Sequence, residues 1–393
     1  MISAVMPTYG RWDVAVDRGE GCYLWATDGR KFLDFTSGIA VTALGHCHPR
    51  LIEAVTAQAK KLWHVSNLFQ IPGQQKLAER LVASSFADTV FFNNSGAEAV
   101  ELSLKVARKY QSATGHPERY RVIGCHGSFH GRSFATLAAA GAEAYLKGFG
   151  PVMDGFDHVA FNNLNEMRGA VTDETAAILV EPVQGEGGVR APTADYLKGL
   201  RAICDEFGLL LVFDEVQCGM GRTGKLFAHE WAGISPDVMA IAKALGNGFP
   251  IGACLATEAA AVGMVAGTHG STFGGNPMAV AAGNAVMDAM LEPGFFERVQ
   301  RISRVLQDRL STLVGAYPKL FAELRGSGLL IGIRCQPELT AGDFVAKLRA
   351  EGLLCLTAGE NVLRILPPLI VGDAEIEEGL QILNKVAREW PAS

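Results

Sequence analysis

Lys243 stands inside VMAIAKAL, an otherwise apolar run. An unpaired ammonium is costly to bury, and a buried lysine commonly responds by losing its proton. Two readings follow from the residue alone. The side chain snorkels to water from a strand end, or it is an amine placed to act as a nucleophile. Other strand ends narrow the choice. TVFF (89–92) runs into Asn93-Asn94-Ser95-Gly96-Ala97, and RVIG (121–124) is followed by Ser128-Phe129-His130-Gly131-Arg132. AAILV (176–180) ends at Glu181, LLLVF (209–213) at Asp214 and VMAIA (238–242) at Lys243. A helix cap or a solvated strand end accounts for any one of these, but not for five polar groups feeding one rim. In an open α/β sheet that rim, beyond the carboxyl ends of the strands, is where ligands bind.

Each group has its own chemistry. Ser95-Gly96-Ala97, at a strand-to-helix junction, offers free backbone N–H groups to a phosphate, although Ser95 would serve equally as a plain N-cap. Asp214 follows an apolar strand, is expected to be buried, and needs a cationic partner or donors; a pyridinium N–H supplies both. Phe129 offers a ring to stack on a planar ligand, or to fill a core. A desolvated Lys243 with a lowered pKa suits Schiff-base formation. Phosphate cradle, aromatic stack, buried aspartate and amine nucleophile together describe a site for pyridoxal 5′-phosphate.

GMGRTGK (219–225) offers a competing chemistry, since it has dinucleotide G-x-G-x-x-G spacing and, with Lys225, most of a phosphate loop. The next residue is Leu226, where magnesium coordination needs Ser or Thr, and LFAHEWAGISPD is a poor helix opening. A loop beside the ligand is the better reading. His46-Cys47-His48 invites a metal, but three adjacent side chains do not readily converge on one ion, so a loop and no metal are expected.

The elements that must position these groups come from the apolar pattern. With 49% hydrophobic and 19% charged residues, the 393-residue chain is globular rather than disordered. A net charge of −6 leaves no electrostatic footprint for nucleic acid, and no basic run suggests a membrane. Eight scattered cysteines without a C-x-x-C pair, and a start (MISAVMPTYGRW) without a signal-peptide pattern, lead us to expect a soluble cytoplasmic protein. Leu51, Ala54, Val55, Ala59 and Leu62 predict a helix over RLIEAVTAQAKKLW. AEAVELSLKVARKY and YLKGLRAICDEFG read as helices too, the second closed by Gly208. With ACLA (253–256) added, apolar strands alternating with helices predict a parallel sheet covered on both faces. After about residue 290, RVQRISRVLQDRLSTLV, GLLIGIRC and AEIEEGLQILNKVARE predict a smaller α+β domain. YLWATDGRKFLDF reads as a hairpin packed against it. The expected boundaries are 46–287 for the large domain, with 1–45 and 288–393 forming the small one.

In chain order, GIAVTALGHCHP, NNSGAEAVELSLKVARK, HGSFHGRS, VEPVQGEGG, FDEVQCGMGRTG, AKALGNGFPIGA, GSTFGGNP and RILPPL form an ordered set. It resembles the class III aminotransferases of the aspartate-aminotransferase fold (fold type I), in the acetylornithine/succinylornithine branch, over nearly the whole chain. The resemblance implies an α/β large domain with a mostly parallel seven-stranded sheet, bound pyridoxal 5′-phosphate, and a homodimer with shared active sites. It gives Lys243 the Schiff base and the following proton transfer, and Asp214 the pyridine nitrogen. Val216 and Phe129 would take the two ring faces and Gln217 the phenolic oxygen. Ser95, Gly96 and Ala97 would hold the phosphate, although many relatives carry Thr where Ala97 stands. Thr272 would reach the phosphate of the neighbouring subunit, and His130 and Glu215 belong to the same cofactor-binding set. For substrate, Arg132 would pair with a carboxylate, and Arg364 would take the α-carboxylate of glutamate or 2-oxoglutarate. Glu186 would neutralise Arg364 when the other donor is bound, Ser271 would touch that donor, and Glu181 would orient groups near the ring. Outside the family, either arginine reads as a surface ion pair. The implied reaction is a ping-pong transfer from N2-acetylornithine to 2-oxoglutarate. Succinylornithine, N-succinyl-diaminopimelate, ornithine and 4-aminobutyrate remain as other donors.

Overall fold

Apolar runs that can be buried on both faces make the centre of the fold. In the computed structural model, which describes residues 3–391, the chain first forms an antiparallel meander of β1 (Val16–Glu20), β2 (Tyr23–Ala26) and β3 (Lys31–Asp34). The expected hairpin is its second turn, at Asp28-Gly29, with Gly29 at φ 89°. Seven further strands follow: β4 (Thr89–Asn93), β5 (Arg121–Cys125), β6 (Phe156–Val159), β7 (Thr175–Val180), β8 (Leu210–Asp214), β9 (Val238–Ile241) and β10 (Gly252–Ala256). They form one sheet in the order β4-β10-β9-β8-β7-β5-β6. Every residue of β7, β8 and β9 is buried, which is why these strands lack polar alternation.

The sheet is mostly parallel, as expected. β10 departs from the expectation, being antiparallel to both β4 and β9. The apolar pattern of ACLA records burial and carries no strand direction. Edge strand β6, FDHV, was not anticipated, because only Val159 of its four residues is buried.

Helices end where local chemistry ends them. The Gly96–Ala113 helix is capped by Ser95, whose Oγ accepts from Glu98 N at 3.2 Å. Tyr196–Phe207 closes on Gly208 at φ 68°. The helix expected through Trp63 runs only Pro49–Ala59. It packs, with Pro72–Ala83, against Pro277–Met290.

Beyond the long Phe295–Ala316 helix come β11 (Phe321–Ser327), β12 (Leu330–Cys335), β13 (Leu353–Leu354), β14 (Leu356–Ala358) and β15 (Val362–Ile365). Four of them form an antiparallel sheet, β11-β12-β15-β14, while β13 pairs with β3. The N-terminal meander is thereby hydrogen-bonded to the C-terminal part. One apolar cluster joins Phe213 and Met239 of the large sheet to Ile331 and Leu363 of the small one, and Arg364 of β15 hydrogen-bonds Gln217, three residues beyond the end of β8. Among the described residues, no helix is long and apolar enough to cross a membrane.

Candidate active site

A cavity of about 400 Å³ opens at the carboxyl ends of the central strands, and its lining draws on each of the five polar strand ends. Asp214, the last residue of β8, is 3% exposed. Its Oδ2 lies 2.7 Å from His130 Nδ1, and its Oδ1 accepts from Val216 N at 3.0 Å. Burial opposes charge on His130, but the hydrogen bond and charge of Asp214, with Glu181 behind it, hold the imidazole pKa above its usual value. Nε2 of the same ring is buried without a partner among the described residues.

Lys243 follows β9 in a short 3₁₀ turn and takes φ +44°, a left-handed conformation that costs roughly 1–3 kcal/mol in a non-glycine residue. Burial lowers its pKa to about 8; Glu186 opposes the shift and Arg364 adds to it. The same turn is braced by Asn247, whose side chain accepts from Leu44 N at 2.6 Å and donates to Gly45 O at 3.1 Å.

Facing the amine, the helix that starts at Gly96 presents its N-terminus. The N–H groups of Gly96 and Ala97 find no acceptor among the described residues, whereas that of Glu98 is satisfied by Ser95. A Cβ on Gly96 would lie 2.6 Å from Val216 Cγ1, so only glycine allows the helix end this close to the cavity wall. Phe129 forms another wall. Its N–H donates at 2.8 Å to Glu181, whose other oxygen accepts from Gly185 N at 3.2 Å. Burial holds the Glu181 carboxyl well above the usual carboxylate range. Orphan helix N–H groups, an amine, a buried carboxylate backed by histidine, and two apolar walls fit a planar, phosphorylated cofactor with a protonated ring nitrogen.

Behind the cavity lies a closed ion-pair cluster. Arg364, on β15 and 2% exposed, donates to Glu186 through Nη1 at 2.5 Å and Nη2 at 3.1 Å, and through Nη1 to Gln217 Oε1 at 3.0 Å. Gln217 Nε2 donates back to Glu186 at 3.2 Å. Burial alone would raise the Glu186 pKa, but the charge and hydrogen bonds of Arg364 bring it below the usual range. Arg132 stands exposed at the mouth of the cavity.

Besides Glu186 and Arg364, three residues named from the resemblance lie apart from the lining. Glu215 is fully buried and accepts from Ala228 N, His229 N and the His229 ring at 2.6, 2.9 and 2.7 Å, bracing a neighbouring turn. Ser271 caps its own loop through Gly274 N at 2.9 Å and accepts from Asn94 Nδ2 at 3.2 Å. Thr272 is exposed beside it. GMGRTGK does not form a phosphate loop. Arg222 is 1% exposed and donates to the carbonyls of Leu329 and Pro367, while Lys225 donates to Glu230 O at 3.1 Å. His46 pairs with Asp34 at 2.8 Å, and the described residues hold no cluster fit for a metal.

Several lining residues were not singled out from the sequence. Phe249, Pro250 and Ile251 reach the rim because the antiparallel β10 starts there. Outside the lining, Tyr145 stacks under Arg132, and its only signal in the sequence is Gly141, the glycine that turns the chain toward it.

The class-III aminotransferase model matches residues 5–387. The acetylornithine aminotransferase 1 of Bradyrhizobium diazoefficiens is 57% identical over 97% of this chain and 94% of its own length. The crystal structure of N-acetylornithine aminotransferase from Stenotrophomonas maltophilia superposes with a TM-score of 0.85 at 38% identity, covering 97% of each chain. The ornithine aminotransferase of Toxoplasma gondii, with partial occupancy of PLP at its active site, gives 0.93 at 32% identity, covering 98% of this chain and 92% of that one. With such agreement from end to end, and with the site assembled from the same segments that carried the resemblance, the chain belongs to the class-III aminotransferase family.

Proposed function

We propose that the chain transfers the δ-amino group of N2-acetyl-L-ornithine to 2-oxoglutarate, giving N-acetyl-L-glutamate 5-semialdehyde and L-glutamate in arginine biosynthesis, with pyridoxal 5′-phosphate as cofactor. The donor is supported by relatives such as that of Bradyrhizobium diazoefficiens. The observation that carries the reading is Arg364 neutralised by Glu186 behind Lys243. A pocket that must accept a carboxylate beside the reacting amine in one half-reaction, and none at that place in the other, needs a cation that can be switched off.

When bound, pyridoxal 5′-phosphate supplies the aldehyde that takes the donor's amine and the ring that accepts the charge freed at the donor carbon. The N–H groups of Gly96 and Ala97, with Ser95, hold the phosphate. Asp214, backed by His130, keeps a proton on the ring nitrogen. Phe129 and Val216 exclude water from the two faces. Lys243 Nζ, half neutral near pH 8, moves the proton at the donor carbon. Gln217 reaches toward the phenolic oxygen, and Glu181 fixes Phe129 through its backbone. Arg132 takes one substrate carboxylate, and Arg364 takes the other once Glu186 swings away. Ser271, next to Asn94 of the lining, contacts the distal end of the donor, and Thr272 serves the phosphate of a second copy in a homodimer. Glu215 supports the cofactor site through the turn at Ala228. Residues 46–287 act as the cofactor-binding body and 1–45 with 288–393 as the small domain, in a cytoplasmic enzyme.

The test is the visible absorption spectrum of the purified protein with glutamate, N2-acetylornithine, ornithine and 4-aminobutyrate added separately. A visible band bleached by the first two and weakly by the others is expected. Bleaching mainly by ornithine or 4-aminobutyrate would move the donor. No visible band, even with added pyridoxal 5′-phosphate, would refute the assignment of Lys243.

A further inference from the structure

We propose that Tyr145 is a positioning residue for Arg132, its ring holding the guanidinium at the cavity mouth so that its N–H edge is free for a substrate carboxylate; this rests on the reading of Arg132 as the carboxylate fork. Arg132 is exposed, and among the described residues its guanidinium lies against aromatic rings rather than a carboxylate. A side chain this long would ordinarily lose considerable rotamer freedom on engaging a ligand. Here its Cζ sits 3.8 Å from the centroid of Tyr145 and 5.4 Å from that of Phe129. Tyr145 in turn meets Phe129 edge-on, with ring centroids 6.0 Å apart at 88°. Arg132 is therefore supported by two rings, one of which is also a wall of the cavity. Stacking uses the face of a guanidinium and leaves its donor edge available for a bidentate pair.

The local chain is shaped to deliver this ring. The Phe134–Ala140 helix ends on Gly141 at φ 63°, where a Cβ would lie 2.5 Å from His158 Nε2. The chain turns there into the short Glu143–Leu146 helix, which brings Tyr145 back over Arg132. The hydroxyl of Tyr145 makes no hydrogen bond to the described residues, so the ring is the working part.

The experiment titrates glutarate, a five-carbon dicarboxylate, into holoenzyme by calorimetry, for wild type, Tyr145→Phe, Tyr145→Leu, Arg132→Leu and the Arg132/Tyr145 double leucine variant. Tyr145→Phe is expected to bind like wild type, and Tyr145→Leu about twofold to fivefold more weakly, the range for a guanidinium stacked on an exposed ring. In the Arg132→Leu background, removing Tyr145 should cost nothing further. Kinetically, Tyr145→Leu should raise KM for 2-oxoglutarate by the same factor with kcat within twofold. Unchanged binding by Tyr145→Leu, an equal loss in both backgrounds, or a Phe variant as weak as the Leu one would each overturn the proposal. Wild-type affinity in Arg132→Leu would remove the fork itself, and Tyr145 with it. If wild type ignores N2-acetylornithine while the glutarate series keeps its order, the donor assignment falls and Tyr145 stands.

Discussion

Substituting Glu186→Gln tests whether Arg364 is a switched cation. The carboxylate accepts two hydrogen bonds from Arg364, at 2.5 and 3.1 Å, and its side chain is 27% exposed against 3% for the arginine. A charge-assisted hydrogen bond contributes about 1.5–3 kcal/mol net. With partial solvent contact on the acid side, displacing Glu186 should cost about 1.5–2 kcal/mol, or roughly 10–30-fold in affinity for any carboxylate that takes Arg364. The variant removes that cost for glutamate and 2-oxoglutarate. For N2-acetylornithine it leaves Arg364 as an uncompensated buried charge beside Lys243, whose pKa Glu186 normally supports. The ratio of kcat/KM for glutamate to that for N2-acetylornithine should rise at least tenfold. The midpoint of the Lys243-dependent rate should also fall below about 8. Single half-reactions followed by absorbance, with each donor alone, measure both quantities. A ratio changed by less than twofold, or one that moves toward N2-acetylornithine, would sink the switch.

Lys243→Met should abolish transfer, yet its apo form should melt at a higher temperature than apo wild type at pH 7. The native amine has its pKa lowered from 10.5 to about 8, so its charged form destabilises the fold below pH 8. The gap should close as pH rises from 8 toward 10.5, which calorimetric melts at pH 7 and 9 would reveal. Asp214→Asn should lower kcat by about 10²–10³ and bring the His130 pKa down, as read by imidazole NMR. Because His130 is raised in the wild type, its contribution to stability is full below pH 6.5 and fades as pH climbs through the raised value. Ser95→Ala removes the cap on Glu98 and should cost about 0.5–2 kcal/mol in denaturant unfolding of the apo form, together with weaker cofactor retention on gel filtration.

The parts of the fold that could be read from the sequence are those whose burial is complete. TAAILV, LLVFD and VMAI carry no polar alternation because both faces are covered, and they sit where the apolar runs placed them. Edge strand FDHV was lost because an edge needs no such pattern, and the direction of β10 because burial has no arrow. Within the site, strand ends were legible one by one. Partnerships were harder: His130 and Asp214 are 84 residues apart, and nothing local in either segment announces their 2.7 Å contact. Glu186 and Arg364, 178 apart, could be paired only through the family resemblance. The side chain of Asn247, fastened to Leu44 and Gly45 across more than 200 residues, left no local signal at all.

The reversed direction of β10 has a mechanical side. Parallel neighbours must be joined by a crossover of about a dozen residues or more, and such a crossover absorbs changes in length. β9 and β10 are antiparallel neighbours, with Ile241 opposite Ala253, so residues 242–251 carry Lys243 on a leash pinned at both ends to adjacent strands. Slack introduced there would reach the amine directly. The connection between β6 and β7, which holds none of the site residues, could vary in length without moving Nζ. Lengthening the chain should therefore be tolerated between β6 and β7 and refused beside the lysine.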